Sequence, residues 1–130
     1  MKQEIKVSAF LANVPLFKEI DPEEIDRLAQ GTRVMHLSRG DTLFHKGDPA
    51  EGFYLVVYGQ VKLAFTSPQG ADKVVEIVGP GMSFGEAVMF LEKPNVVYAQ
   101  ALADSMLLYI QRAVVFEELE RDPKFARKML

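Results

Sequence analysis

The sequence predicts a mainly β domain: short antiparallel strands in a closed or two-layered arrangement, with helices at both ends. Three observations predict it. Between Thr32 and Ile110, short β-rich runs alternate regularly with Gly, Pro and Asp turns. Outside those limits the apolar spacing and the capping residues are helical. A hydrophobic content of 48% in 130 residues supplies one core, and the longest apolar runs, such as "FYLVVY", are too short to span a membrane.

The elements follow in order. In "DPEEIDRLA", Asp21 is placed to cap a helix, Pro22 suits its first position and Glu24 has the spacing of a capping box. Ile20, Ile25 and Leu28 form its apolar stripe, and Gly31 stops it. The runs "TRVMHLS", "TLFH", "FYLVVY", "VKLAF", "DKVVEIV", "VVYAQAL" and "MLLYI" read as strands. Gly59-Gln60 between two of them predicts a two-residue hairpin. After Ile110 "QRAVVFEELE" returns to helix. "RDPKFARKML" then starts another, with Asp122 as cap and Pro123 in the first turn. That stretch is about eight residues long, short for a helix standing alone, and has no stop signal. The natural chain is therefore expected to continue beyond it.

Composition narrows the function. The formal charge is −3 and the basic residues are scattered, whereas a duplex-binding module concentrates Lys and Arg on one face. Only Arg121, Lys124, Arg127 and Lys128 cluster, as a solvated helix face. There is no cysteine, which excludes disulfides, thiolate zinc sites and cysteine-ligated iron–sulfur clusters. The N-terminus mixes acid and base and is unlike a secretory signal. A cytoplasmic location is the default.

The chemistry-bearing stretch is "SFGEAVMFLEKPNVVYAQA", residues 83–101. Glycines 81 and 85 bracket "MSF", and a short apolar helix is expected to begin near Glu86. Free N–H groups at such a start attract an anion, and glycine lets it approach. The same pattern also reads as a plain strand–turn–helix connection with Glu86 complementing the helix dipole.

"PGMSFGEAVMF", followed by "KPNVVYAQALADSMLLYI", resembles the phosphate-binding cassette of cyclic-nucleotide-binding domains. The preceding "RGDTLFHKGDPAEGFYLVVYGQVKLAF" is similar to the same family's strand signature. The chain thus resembles effector domains of the Crp/Fnr superfamily of bacterial transcription regulators. The resemblance implies an eight-stranded antiparallel β-roll, or jelly roll, with flanking helices over residues 1–120. It implies that residues 121–130 begin a dimerisation helix, with Phe125, Met129 and Leu130 as seam residues of a homodimer. DNA would be bound only by a helix-turn-helix domain absent from this chain. The implied activity is non-enzymatic sensing of a small-molecule effector, without a membrane partner.

The implied effector pocket comprises Phe84, Gly85, Glu86, Ala87, Val88, Met89, Asn95, Val96, Val97 and Tyr98. In nucleotide-binding members a glutamate holds the ribose, backbone amides hold the phosphate, and an arginine with a neighbouring hydroxyl completes the grip. Glu86, Gly85 and Ala87 match the first set. Asn95 stands where the arginine belongs and Val96 where the hydroxyl belongs. From Met82 to Leu102 the charged residues are Glu86, Glu92 and Lys93. Burying a phosphate without a cation costs several kcal/mol, and losing one partner of a buried pair costs roughly 3–5 kcal/mol. A helix N-terminus offsets only about 0.3–2 kcal/mol. Cyclic AMP is therefore disfavoured and a larger apolar effector preferred.

The segment also resembles the dissimilatory nitrate respiration regulators, a branch that likewise lacks the arginine and is implied to sense nitric oxide through haem. Haem iron takes His, Met, Cys or Tyr, which leaves His36, His45, Met89 and Tyr98 as candidates, or a residue beyond this chain. Ordinary solvation explains the histidines equally well, and core packing the other two. No axial ligand can be singled out, and no metal site is expected. Three readings remain besides haem-based sensing: a cyclic AMP-binding regulatory domain, a ligand-free dimerisation module, and a metal-dependent enzyme on a similar roll. The last has little to build on, with two histidines nine residues apart and no His-x-His pair.

Overall fold

The computed structural model of the chain describes residues 6–14, 17–124 and 127. Helices α1 (Val7–Ala12) and α2 (Pro22–Gln30) precede the strands β1 (Thr32–Leu37), β2 (Thr42–Phe44), β3 (Gly52–Tyr58), β4 (Val61–Thr66), β5 (Asp72–Val78) and β6 (Ser83–Phe84). Helix α3 (Glu86–Phe90), strands β7 (Tyr98–Ala101) and β8 (Ser105–Gln111), and helix α4 (Arg112–Arg121) follow. The strands form two four-stranded sheets in the orders β1-β8-β3-β6 and β2-β7-β4-β5, all neighbours antiparallel. Eight antiparallel strands in two sheets with flanking helices make the expected roll. Among the described residues no helix is long and apolar enough to cross a membrane.

Two cores follow from the period-two alternation of the central strands. On β3, Phe53 and Leu55 face the helices, where they meet Leu11, Phe17, Leu28 and Val115. Val56 faces inward between the sheets, with Leu63, Phe84 and Ala99. Strand β8 divides likewise, Leu108 and Ile110 toward the helices and Leu107 toward the roll interior. Both strands are sandwiched, so they read as nearly continuous apolar runs. Edge strand β5 also carries Val74, Val75 and Ile77, yet its residues Asp72 to Ile77 are exposed.

Three local expectations change. Strands β3 and β4 do not form a hairpin. They lie in different sheets, and Gly59-Gln60 carries the chain between them, with Gln60 N–H donating to Ser105 Oγ at 3.1 Å. Each strand has a better partner elsewhere, β8 for β3 and β5 with β7 for β4. Secondly, α2 has no side-chain cap bond from Asp21 and no capping box. Glu24 is instead buried, its carboxylate within 4.8 Å of those of Asp21 and of Asp122 at the end of α4. Thirdly, Gly31 ends α2 at φ −95°, not in the left-handed region. Glycine is needed there because a Cβ would fall inside the Val114 side chain. At the other end Asp122 does cap the next turn, accepting Lys124 N–H at 3.0 Å. Phe125, Met129 and Leu130, the expected seam residues, lie outside the described residues.

Candidate functional site

The cradle is built where β6 turns into α3. Strand β6 was not legible as a strand: it is two residues long and pairs only with Tyr54 and Leu55 of β3. Phe84 is buried and stacks on Tyr54, ring centroids 5.1 Å apart at 17°. Tyr54 also meets Phe44 and Tyr109, and burial pushes its phenol up to about 12. These rings pack on one another, with Tyr54 beside the turn at Gly85. Gly85 then reverses the chain at φ 92° as N-cap of α3. A Cβ there would make only ordinary contacts, so the backbone angle, not space, requires glycine.

Glu86 opens α3. Ser83 Oγ donates to its Oε2 at 3.0 Å, while Oε1 is buried without a hydrogen-bond partner. Burial raises the Glu86 carboxyl above its ordinary range; the Ser83 bond and its own backbone N–H oppose that, and the charge of Glu76 on β5 adds to it. Ser83 and Glu76 were missed as site residues. The S-x-x-E spacing in "SFGE" was an available signal for Ser83; nothing local marks Glu76, which the β5 register brings near. Ala87 is exposed and Val88 half-buried beside Glu86 on α3.

The second half of the expected pocket disperses. Met89 is fully buried on the helix side of the first sheet, so it does not line the cradle. Asn95, at the position where an arginine would grip phosphate, is itself buried and tied to the 47–48 turn. Its Nδ2 and backbone N–H both donate to Asp48 O, at 3.2 and 2.9 Å, and its carbonyl accepts Gly47 N–H at 2.7 Å. It clamps a loop. Val96 is 62% exposed, and Val97 packs against the inter-sheet core. Tyr98 lies on the outer face of β7, because its neighbours Ala99 and Ala101 take the inner one. Its hydroxyl donates to Asp72 at 3.0 Å and Lys62 sits 5.4 Å above its ring. Bonds from Thr66 and Tyr98 hold the Asp72 carboxyl below its ordinary range.

The remaining haem-ligand candidates are also outside. His36 is exposed on β1 opposite Met106. His45, its side chain 76% exposed, points at Asp48, Nδ1 to Oδ2 3.8 Å. The structure therefore gathers Phe84, Gly85, Glu86, Ala87 and Val88 with Ser83 and Glu76, and parts them from Met89, Asn95 and Tyr98. The gathered set offers a carboxylate, a hydroxyl and a helix start, with no basic side chain in it.

Comparison with known proteins agrees with the fold. A family model described as "Cyclic nucleotide-binding domain" matches residues 34–122. The N-terminal domain of a transcriptional regulator from Streptomyces coelicolor A3(2) is 35% identical, with TM-score 0.80 over 92% of this chain and 86% of that one. The sensor domain of the transcriptional regulator DNR from Pseudomonas aeruginosa is 28% identical, with TM-score 0.85 over 92% and 80%. The cyclic AMP receptor protein of Thermus thermophilus is 30% identical over 88% of this chain and 53% of its own length. The chain spans about half the length of the curated regulators it matches. The roll, the glycine-started cradle helix and these likenesses together make the chain a member of the cyclic nucleotide-binding domain family, of the type found in Crp/Fnr regulators.

Proposed function

We propose that this is the effector-sensing domain of a Crp/Fnr-type transcription regulator whose effector is not a cyclic nucleotide. One observation carries the reading: the cradle carboxylate Glu86 has a buried, unpartnered oxygen and a second carboxylate, Glu76, nearby, while the arginine position is Asn95, tied to Asp48. A cyclic phosphate would enter a negative field with only backbone dipoles to meet it.

The route from the cradle outward runs through α3. Its far end packs on α4, where Phe90 stacks on Phe116 at 6.1 Å and 18°. An effector that moves Glu86 therefore moves the helix leading to Asp122 and whatever follows. Such coupling requires that the effector bind two arrangements of this helix pair with different affinity. Dimerisation, DNA contact through a further domain and a cytoplasmic location belong to the same proposal.

Haem, which the resemblance to the nitrate respiration regulators implies, needs an axial side chain. The described residues do not fit it at the cradle. Met89 is in the core, Tyr98 is bonded on the outer face, and both histidines are on the surface. The haem and nitric oxide reading rests on resemblance alone.

Melting the protein with and without cyclic AMP tests the proposal. A ligand at 100 times its dissociation constant adds about 2.7 kcal/mol. We expect no shift at millimolar nucleotide. A shift of that size would restore the cyclic AMP reading, which the retained Ser83–Gly85–Glu86 geometry favours. A hemin titration is expected to give weak, unsaturable absorption; a saturable Soret band at one haem per chain would return haem to the cradle.

A further inference from the structure

The helix junction on the far side of the first sheet holds a second cluster that effector sensing does not use. Asp21, at the start of α2, Glu24, in its first turn, and Asp122, at the end of α4, each bring a carboxylate oxygen within 4.8 Å of the other two. Glu24 is 4% exposed, and its Oε2 is buried with no hydrogen-bond partner. The guanidinium that could have answered it is taken. Arg27 Nε and Nη2 donate to the two oxygens of Glu118 at 2.5 and 3.1 Å. None of the three carboxylates is in an ion pair among the described residues. Lys124 reaches Asp122 only through its backbone N–H.

We propose that Asp21, Glu24 and Asp122 bind a calcium-sized divalent cation. Three converging carboxylates, one of them buried with an open lone pair, need a positive partner. All donors are oxygens, with no His or Cys, which selects a hard cation. Oxygens ligating one calcium lie about 2.3–2.6 Å from it, so two of them can be as far apart as about 5 Å; around magnesium, at about 2.0–2.1 Å, the limit is about 4 Å. The three oxygens all lie within 4.8 Å of one another, inside the calcium limit. The site has a consequence for output. It ties the start of α2 to the residue where α4 gives way to the next turn, so an occupied site fixes the direction in which the chain leaves the sensor.

The test uses the full chain, stripped with chelator and titrated with calcium chloride or magnesium chloride, followed by calorimetry and thermal melting. We expect saturable calcium binding with a dissociation constant of about 10⁻⁴–10⁻³ M, a rise in melting temperature, and a weaker magnesium response. Glu24→Gln and Asp122→Asn should each weaken calcium binding at least tenfold. Glu92→Gln, which removes an exposed carboxylate elsewhere, should leave it unchanged. If Glu24→Gln fails to fold, Asp122→Asn on the protein's outer side decides. Absence of a calcium response up to 10 mM (roughly ten times the weakest constant expected) overturns the proposal. So does a calcium response undiminished from the native protein's in both variants, or a cluster stabilised by acid and indifferent to calcium, which would mean a shared proton.

Discussion

Two carboxylates with buried oxygens, Glu118 and Glu86, meet opposite fates. At the helix junction Glu118 is 2% exposed and held by both forks of Arg27. At the cradle Glu86 has one hydroxyl, and its other oxygen has nothing. The difference shows where the fold places its cations. The guanidinium near a buried acid is used to fasten α2 to α4, whereas the cradle, where a cyclic phosphate would need one, carries more negative charge. On the proposed reading, the roll persists while the cradle lacks a charge complement for phosphate. The roll is held by apolar burial and sheet pairing, neither of which depends on the arginine.

The largest way to break the comparison is at the paired end. Arg27→Met leaves Glu118 buried without a partner. It is expected to be the most destabilising of the three substitutions. Urea unfolding reads this directly, and a loss no larger than that of Asn95→Ala would show the pair to be a surface contact. At the unpaired end the sign reverses. Glu86→Gln keeps an acceptor for Ser83 while removing the buried charge, and is expected to stabilise the protein by about 1 kcal/mol at pH 7. The native carboxyl is raised relative to the unfolded chain, so its contribution is fully present below the ordinary carboxylate range and is lost as pH rises through the raised value. The advantage of the glutamine should therefore vanish on acidification, and an advantage independent of pH would assign it to packing. A third substitution, comparable in size to the second, sharpens the assignment of the arginine position. Asn95→Ala removes a side-chain bond to Asp48 and is expected to cost about 1 kcal/mol without altering the response to any cradle ligand. A changed effector response would put Asn95 back in the pocket.

The legible parts of the sequence were those where a local pattern and the tertiary environment agree. Strands β3 and β8, sandwiched between two layers, read as strands because both faces are apolar. The turn at Gly85 and the short helix from Glu86 read correctly, because a left-handed glycine and a helix start fix geometry within a few residues. Legibility failed where a residue's partner is far away in sequence. Tyr98 has pocket-like chemistry, but the pairing of β7 with β4 turns it outward. Met89 belongs to the same short helix as Glu86 but packs into the core on the helix side of the first sheet. Glu24 has the spacing of a cap and is taken up by a junction with residues nearly a hundred positions away.

By itself the sequence determined the two-layered antiparallel roll between helices, the glycine-started cradle and the absence of an arginine opposite Glu86. These rest on alternation, turn chemistry and residue identity, which act over a few neighbours. Only the tertiary structure decided which strands pair, which way Met89, Asn95 and Tyr98 face, and which acids meet at the end of α4. Those outcomes depend on long-range pairing, where shifting a strand by one residue exchanges its inside for its outside, and no local signal encodes the choice.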